Sequence, residues 1–189
     1  MANNLLDIIQ KDKELLIFLN NLGSEQWDSF WLAITHQLNW APLFLLIIFL
    51  VVRSFGWKRG GVMILSMIIL VAFSDQFTNL IKNSVERIRP NNDIEIKHLL
   101  RTLISPQSFS FMSGHATTST FFSVFVVLLL KDTYKYIYLI LFFPLIFAYS
   151  RLYLGVHFPI DISVGIIIGI TFANLYYYLF KKIDKKLFS

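Results

Sequence analysis

Long apolar runs separated by short polar segments make up most of this chain. A helix needs about 20 residues to cross a bilayer whose hydrocarbon core is about 30 Å thick. Five runs come near that length, at approximately residues 41–56, 61–82, 114–131, 135–152 and 159–181. They do not alternate between polar and apolar residues, so the pattern predicts membrane-spanning helices rather than strands.

The first forty residues have a weaker pattern. Leucines and isoleucines recur there near helical spacing and are interrupted by charges at 11–14, which predicts an amphipathic helix at the membrane interface over residues 1–24. Residues 27–40 carry three tryptophans, which are typical of the interface, and we predict a short or partial helix there. The expected fold is an all-α integral membrane protein. It would be one domain, 1–189, with about six transmembrane helices and a site at one membrane face.

Composition supports this class. Of the 189 residues, 56% are hydrophobic and 15% are charged, too few charges for a soluble domain of this size. The net charge of +5 lies in short clusters between apolar runs, which indicates membrane topology rather than nucleic-acid binding. Cysteine is absent, which excludes disulfide and thiolate chemistry. The N-terminus lacks the pattern of a secretion signal, so we expect no removable signal peptide.

Five crossings divide the polar segments between two sides. Residues 82–113 and 150–161 fall on one side, and the turns at 53–59 and 131–135 fall on the other together with the C-terminus. Lysine and arginine are more frequent on the second side, and the positive-inside rule then places it in the cytoplasm. We therefore expect a bacterial cytoplasmic-membrane protein with residues 82–113 facing the exterior.

Two polar clusters on the outer side are suited to binding an anion. Lys82 and Arg89 are seven residues apart, which predicts one shared helix face before Pro90 ends the helix. Taken alone, this pair is more typical of a basic helix end at a membrane. Ser113 is predicted to cap the next helix, and Gly114 allows an anion to approach the free N–H groups there. His115 follows on the first turn.

The third cluster pairs a histidine with a carboxylate. His157 and Asp161 are four residues apart at the start of the last span, and Arg151 ends the span before it. A carboxylate that reaches one ring nitrogen would fix the tautomer and leave the other nitrogen free to attack. The alternative is an ion pair without chemistry. Charged groups within membrane spans are costly, which favours a functional explanation.

The three clusters together resemble the three-part signature of the type 2 phosphatidic-acid phosphatase superfamily. The matching positions are Lys82, Arg89 and Pro90, then Ser113, Gly114 and His115, then Ser150, Arg151, His157 and Asp161. The match runs in order over residues 82–161. One departure is Met112, which stands where a proline usually precedes the Ser-Gly-His triplet.

The resemblance implies the role of each residue. His157 would attack phosphorus and form a phosphohistidine, Asp161 would orient it, and His115 would protonate the departing oxygen. Holding the phosphate oxygens would fall to Lys82, Arg89, Ser113, Gly114 and Arg151. It implies no metal and no cofactor. Its partners would be membrane lipids and a lipid phosphate, with no nucleic acid, and no oligomeric state is indicated.

Three functions are compatible with these residues. The first is a lipid phosphatase, for which we expect undecaprenyl diphosphate as substrate, with phosphatidylglycerol phosphate and phosphorylated lipid A as alternatives. The second is an anion transporter, although the charges cluster at one interface rather than at mid-membrane. The third is a catalytically silent scaffold. Outside the clusters, Asp75 could pair with Lys82 or line the cavity, and we favour the ion pair. We expect Glu86 to pair with Lys82, and we assign no role to His36 or His98.

Overall fold

The computed structural model describes residues 2–188 as helices joined by short loops. The α-helices are α1 (Ala2–Asn21), α2 (Glu25–Thr35), α3 (Ala41–Val85), α4 (Gly114–Leu130), α5 (Phe142–Tyr153) and α6 (Pro159–Phe188). Short 3₁₀ helices precede α3 and α5 at Gln37–Trp40 and Lys135–Leu141, and two more lie in the loop after α3 at Pro90–Asn92 and Lys97–Leu99. These residues include no strand, which confirms the all-α prediction.

Helix α3 folds back on itself at Gly56. The φ and ψ of Gly56 are 71° and 174°, a conformation open only to glycine. The chain therefore reverses between an arm at 41–55 and an arm at 57–85. Close packing at Gly60 keeps the arms together, because a Cβ added there would lie 3.2 Å from Val52 Cα.

The predicted spans are confirmed with small changes in their ends. Three helical stretches are long and apolar enough to cross a membrane, namely Gln37–Asn92, Lys135–Tyr153 and Pro159–Phe188, and α4 is a shorter apolar helix. Because Gly56 divides the first stretch, the chain makes five passes. Helix α2 has 11 residues, a rise of about 16 Å, and is too short to cross. Large apolar side chains such as Ile69 and Leu179 are exposed on the outside of the bundle, as lipid contact requires.

Helix α1 lies against the end of the bundle that holds the three polar clusters. Its side chains Leu5, Leu6 and Phe18 are exposed, whereas Leu16 and Asn20 are completely buried. The Asn20 amide donates hydrogen bonds to the carbonyls of Arg101, Leu152 and Tyr153 at 3.1, 3.2 and 2.7 Å. The predicted N-terminal helix therefore forms, with Leu16 and Asn20 toward the protein and several large apolar side chains outward. This arrangement suits a helix at a lipid interface.

Helices α4 and α6 pack closely because small residues face one another. A Cβ added to Gly169 would lie 2.8 Å from the carbonyl oxygen of Thr117 and 3.1 Å from the backbone nitrogen of Phe121. Gly165 makes a similar approach to the carbonyl oxygen of Ser113, at 3.0 Å. Close approach of backbones at small residues is typical of helix pairs in membranes. It brings the start of α4 next to the start of α6, where the second and third clusters lie.

We predict that Gly169→Ala destabilises the protein. The added methyl group meets backbone atoms that cannot rotate away, and such overpacking costs about 1–3 kcal/mol. The measurement is thermal unfolding of the purified protein in detergent. Gly61→Ala is the matched control, because a Cβ at Gly61 meets nothing within 4 Å. Equal melting temperatures for the two variants would contradict the proposed close packing.

Candidate active site

The three clusters line one cavity of about 870 Å³ between the two arms of α3 and helices α4 and α5. Its polar end is lined by Lys82, Arg89, Gly114, His115, Arg151 and His157. From there the cavity continues between apolar side chains, including Phe44, Ile47, Met67, Ile68 and Phe122. The predicted convergence is therefore found for six of the eight residues. The other two, Ser113 and Asp161, are buried behind the cavity wall.

Lys82 and Arg89 reach the cavity by a route that differs from the prediction. Helix α3 ends at Val85, and Glu86 follows in a left-handed conformation with φ 53°. Arg89 is extended, with φ −71° and ψ 152°. The pair therefore does not share a helix face, and Pro90 does not end the helix. A turn after α3, rather than helical periodicity, directs both cations to one place.

Loop carbonyls hold the guanidinium of Arg89. It donates to the Ser108 carbonyl at 2.5 Å, to the Val156 carbonyl at 2.9 Å and to the Ser108 hydroxyl at 2.9 Å. Its Nη1 also lies 3.1 Å from Nε2 of His157. Because arginine can only donate, His157 Nε2 is the acceptor and carries a lone pair. That lone pair faces Arg89, and both residues line the polar end of the cavity.

The other nitrogen of His157 faces Asp161. The Nδ1–Oδ2 distance is 3.4 Å, which makes Nδ1 the protonated nitrogen of the pair. Oδ2 also accepts hydrogen bonds from the Phe158 backbone N–H at 3.0 Å and from the Ser110 hydroxyl. Helix α6 begins at Pro159, so His157 lies just outside it. The predicted contact forms across the first turn of α6 rather than within a continuous helix.

Burial keeps His157 neutral. Desolvation lowers its pKa to about 3, although the hydrogen bond to Asp161 acts in the opposite direction. The neutral form of imidazole is the nucleophile, because the protonated ring has no free lone pair. This site therefore holds a histidine in a reactive protonation state and tautomer.

The start of α4 presents His115 and free backbone N–H groups. Ser113 caps the helix, and its hydroxyl accepts a hydrogen bond from the Ala116 N–H at 3.4 Å. Its own N–H donates to the Asp161 carbonyl at 3.2 Å, which joins α4 to α6. The His115 ring lies 4.7 Å from the Phe147 ring, between centroids, at the cavity wall. The predicted cap is confirmed, and its hydroxyl is directed to the helix.

Arg151 is buried, and not all of its hydrogen-bond donors have a partner. Nη1 donates to the Thr35 hydroxyl at 2.5 Å, and within residues 2–188 its Nε atom has no hydrogen-bond partner. Lys82 is 9% exposed and likewise forms no ion pair in the part of the chain described. Such cations near a membrane are costly unless an anion neutralises them. The polar end is therefore suited to bind an anion such as phosphate.

Two predicted pairings are wrong. Asp75 accepts a hydrogen bond from Asn79 at 3.2 Å and forms no ion pair with Lys82 among the described residues. The alternative for Asp75 is confirmed, because it lines the cavity. Glu86 has left the helix, so the four-residue spacing to Lys82 no longer brings the two side chains together. His36 and His98 are exposed and do not line the cavity, in agreement with having no assigned role.

The sequence motifs did not indicate that Arg87, Ser110 and Asp12 contact the site. Arg87 donates to Asp161 at 2.6 Å and to Asp12 at 2.7 Å. Arg87 lies within the first motif, where it reads as one more basic residue near a helix end. Asp12 and Ser110 are far from Asp161 in sequence, and no local spacing connects them.

Metal chemistry is not indicated by side-chain clustering. Over residues 2–188, no group of three or more His, Cys, Asp or Glu side chains is placed to hold a metal ion. The expectation that the reaction needs no metal stays a prediction.

A membrane-embedded fold and a cationic cavity with a held, neutral histidine define a class of membrane phosphatase. The chain belongs to the PAP2 superfamily, whose model matches residues 59–185, more than half of its length. The protein is thus a membrane PAP2 lipid phosphatase, as the sequence motifs predicted.

Three similar proteins illustrate the range of the family. A lipid A 4'-phosphatase from Bacteroides thetaiotaomicron is 31% identical over 182 residues, which cover 94% of this chain and 80% of that protein. An undecaprenyl-diphosphatase from Sulfolobus acidocaldarius is 28% identical over 156 residues, which cover 82% of this chain and 64% of that protein. The crystal structure of a transmembrane PAP2-type phosphatidylglycerolphosphate phosphatase from Bacillus subtilis shares the fold. The TM-score is 0.72 at 22% sequence identity, and the superposition covers 95% of this chain and 87% of that structure.

We predict that His157 remains neutral, with its proton on Nδ1, from pH 8 down to pH 5.5. A histidine with an ordinary pKa of about 6.5 would be about 90% charged at pH 5.5. The lowered pKa of His157 reverses that expectation. ¹⁵N NMR of histidine-labelled protein measures the state, with His157→Gln to assign the signal. A charged ring at pH 5.5 would contradict the prediction.

Proposed function

We propose that this protein removes a phosphate from the headgroup of a membrane lipid through a phosphohistidine intermediate. The observation that carries the proposal is the continuity of one cavity, cationic at the end near His157 and apolar toward the bilayer. A phosphate and the tail attached to it require these two environments side by side.

The first step forms the phosphohistidine. Nε2 of His157 attacks phosphorus, and the bond between phosphorus and the lipid oxygen breaks. His115 gives its proton to that oxygen as a general acid, and the dephosphorylated lipid leaves. Asp161 stabilises the positive charge that develops on the His157 ring.

The second step releases phosphate. Water attacks the phosphohistidine, and His115, now without its proton, accepts one from that water. The bond between Nε2 and phosphorus breaks, which restores both histidines. Lys82, Arg89 and Arg151 would stabilise the charge on the non-bridging oxygens in both transition states, together with N–H groups at the start of α4.

A phosphorylated glycolipid of the lipid A type is the substrate class with most support. The relative with 31% identity over 94% of this chain is a lipid A 4'-phosphatase. The cavity wall is consistent with the same class, because Asp75, Asn79 and Gln37 line it together with the cations. Asp75 lies two helical turns from Lys82, about 10 Å along the axis. A carboxylate and amides there suit sugar hydroxyl groups as partners.

Undecaprenyl diphosphate, the first expectation from the sequence, is the second candidate. The similarity to an undecaprenyl-diphosphatase favours it. Its leaving group is itself a phosphate, which would lie farther along the cavity than the reacting phosphorus. The cations that line the cavity are Lys82, Arg89 and Arg151, and Asp75 is the charged residue beyond them. This distribution of charge favours a phosphate monoester over a diphosphate.

The decisive experiment measures phosphate release from lipid A, undecaprenyl diphosphate and phosphatidylglycerol phosphate. We expect the wild type to be active, most rapidly on lipid A, and His157→Ala to lose at least about 1,000-fold because the nucleophile is gone. We also expect EDTA to leave the rate unchanged and vanadate to inhibit. His98→Ala, an exposed loop histidine, is the matched control. Full activity of His157→Ala would refute the proposed nucleophile.

We further propose that the site faces the cell exterior and that the C-terminus is cytoplasmic. The absence of cysteine makes single-cysteine labelling direct. In intact cells, a membrane-impermeant maleimide should label Gln107→Cys, which is exposed in the loop on the site side. It should label Thr133→Cys, in the exposed turn after α4, only after the cells are permeabilised. The reverse pattern would place the site in the cytoplasm.

A further inference from the structure

A guanidinium outside the cavity connects the N-terminal helix to the carboxylate beside His157. Nη1 of Arg87 donates to Oδ1 of Asp161 at 2.6 Å, and Nη2 donates to Oδ2 of Asp12 at 2.7 Å. The same guanidinium lies over the ring of Phe158, with Cζ 3.8 Å from the ring centroid. Arg87 is thus held from three directions and does not line the cavity.

Asp12 also holds the helix turn that carries Asp161. Its Oδ1 accepts a hydrogen bond from the Ile160 N–H at 2.9 Å, in the first turn of α6. The Asp12 side chain is 1% exposed, although most side chains of α1 around it are accessible. A carboxylate this buried needs a cation and N–H donors, and it has both.

Arg87 reaches Asp161 by a second route through its backbone. The Ser110 N–H donates to the Arg87 carbonyl at 2.8 Å, and the Ser110 hydroxyl donates to Oδ2 of Asp161. Arg87 therefore fixes both oxygens of the carboxylate, one directly and one through Ser110. Oδ2 is the oxygen that faces His157 Nδ1.

We infer that Arg87 and Asp12 are positioning residues for His157, and that helix α1 is thereby part of the active-site assembly. This inference rests on the proposed function. Arg87 separates two buried carboxylates that would otherwise repel each other. Without it, Asp161 loses the bond that sets its rotation, and His157 loses the partner that directs Nε2 toward phosphorus.

The position of α1 determines whether this connection exists. Asn20 fixes the C-terminal part of α1 through four hydrogen bonds, three donated and one accepted from the Arg101 N–H at 2.7 Å. Two helical turns earlier, Asp12 contacts Arg87 and α6 from the same face. Docking of α1 against the bundle therefore positions Asp12 beside α6, and Asp12 in turn positions the guanidinium of Arg87.

The experiment compares Arg87→Met, Arg87→Lys and Asp12→Asn in steady-state phosphate release from the preferred lipid. In metal sites, mutating the hydrogen-bond partner of a metal-bound histidine lowers activity or metal affinity about 10- to 100-fold. We expect kcat of Arg87→Met to fall by about that factor with KM nearly unchanged, because Arg87 does not line the cavity. Asp12→Asn should lose less, and Arg87→Lys should recover part of the loss.

Asp28→Asn is the matched control. Asp28 forms an equivalent ion pair between a helix before α3 and the outer loop, with Arg101 at 3.0 Å, but has no contact with Asp161. It should keep the wild-type kcat even if its melting temperature falls as far as that of Asp12→Asn. Equal kcat losses in Asp28→Asn and Asp12→Asn would mean that both residues act only through stability, which would overturn the inference.

The same substitutions in an Asp161→Asn variant distinguish a positioning role from an effect on folding. If Arg87 acts through Asp161, then Asp12→Asn should reduce the residual kcat of Asp161→Asn by less than twofold. A full additional loss there would overturn the inference, and so would wild-type kcat in all Arg87 and Asp12 variants. If Arg87→Met does not fold, Asp12→Asn still decides, because it keeps the shape of the side chain. A wild type without phosphate release would instead refute the proposed function itself.

Discussion

The carboxylate of Asp161 is the group on which the geometry of the site depends. It is completely buried in the first turn of α6, where an unpaired charge would be prohibitive. Arg87 neutralises it, and Ser110, Phe158 and His157 donate hydrogen bonds to it. These partners come from the loop after α3 and from the turn before α6. Satisfying one charge therefore fixes segments that are distant in sequence. The His157 tautomer follows from that requirement.

Features that depend on local sequence pattern could be predicted, whereas those that depend on tertiary contacts could not. The spans follow from hydrophobicity alone, and the three motifs did converge on one cavity. The helix from Lys82 to Arg89 was wrong because Glu86 adopts a left-handed conformation that the spacing does not reveal. The pairing of Asp75 with Lys82 was wrong because the nearer Asn79 amide takes the carboxylate. The contact between Asp12 and Arg87 joins residues 75 positions apart, and no periodicity encodes such a distance.

The charges behind the cavity wall are paired, whereas cations in the cavity have no carboxylate partner. Behind the wall, the charge of Arg87 is fully compensated by two aspartates. In the cavity, the Arg151 Nε atom has no partner among residues 2–188, and Lys82 has no carboxylate within ion-pair distance there. The attraction for an anion is therefore confined to the place that His157 Nε2 faces. Binding a phosphate there relieves repulsion among cations that desolvation has already strengthened.

This arrangement of charges also favours phosphate hydrolysis over anion binding without chemistry. A cluster of cations at a membrane interface is sufficient to attract an anion, and a transporter or scaffold would need nothing more. Neither would need a histidine whose Nδ1 is held by a carboxylate, nor a carboxylate with every oxygen fixed by donors. Burying Asp161 and Asp12 with one arginine between them is costly if the only result is stability, since apolar residues would serve as well. The buried network is consistent with the proposed role of His157 as nucleophile, which needs a neutral imidazole held in one orientation.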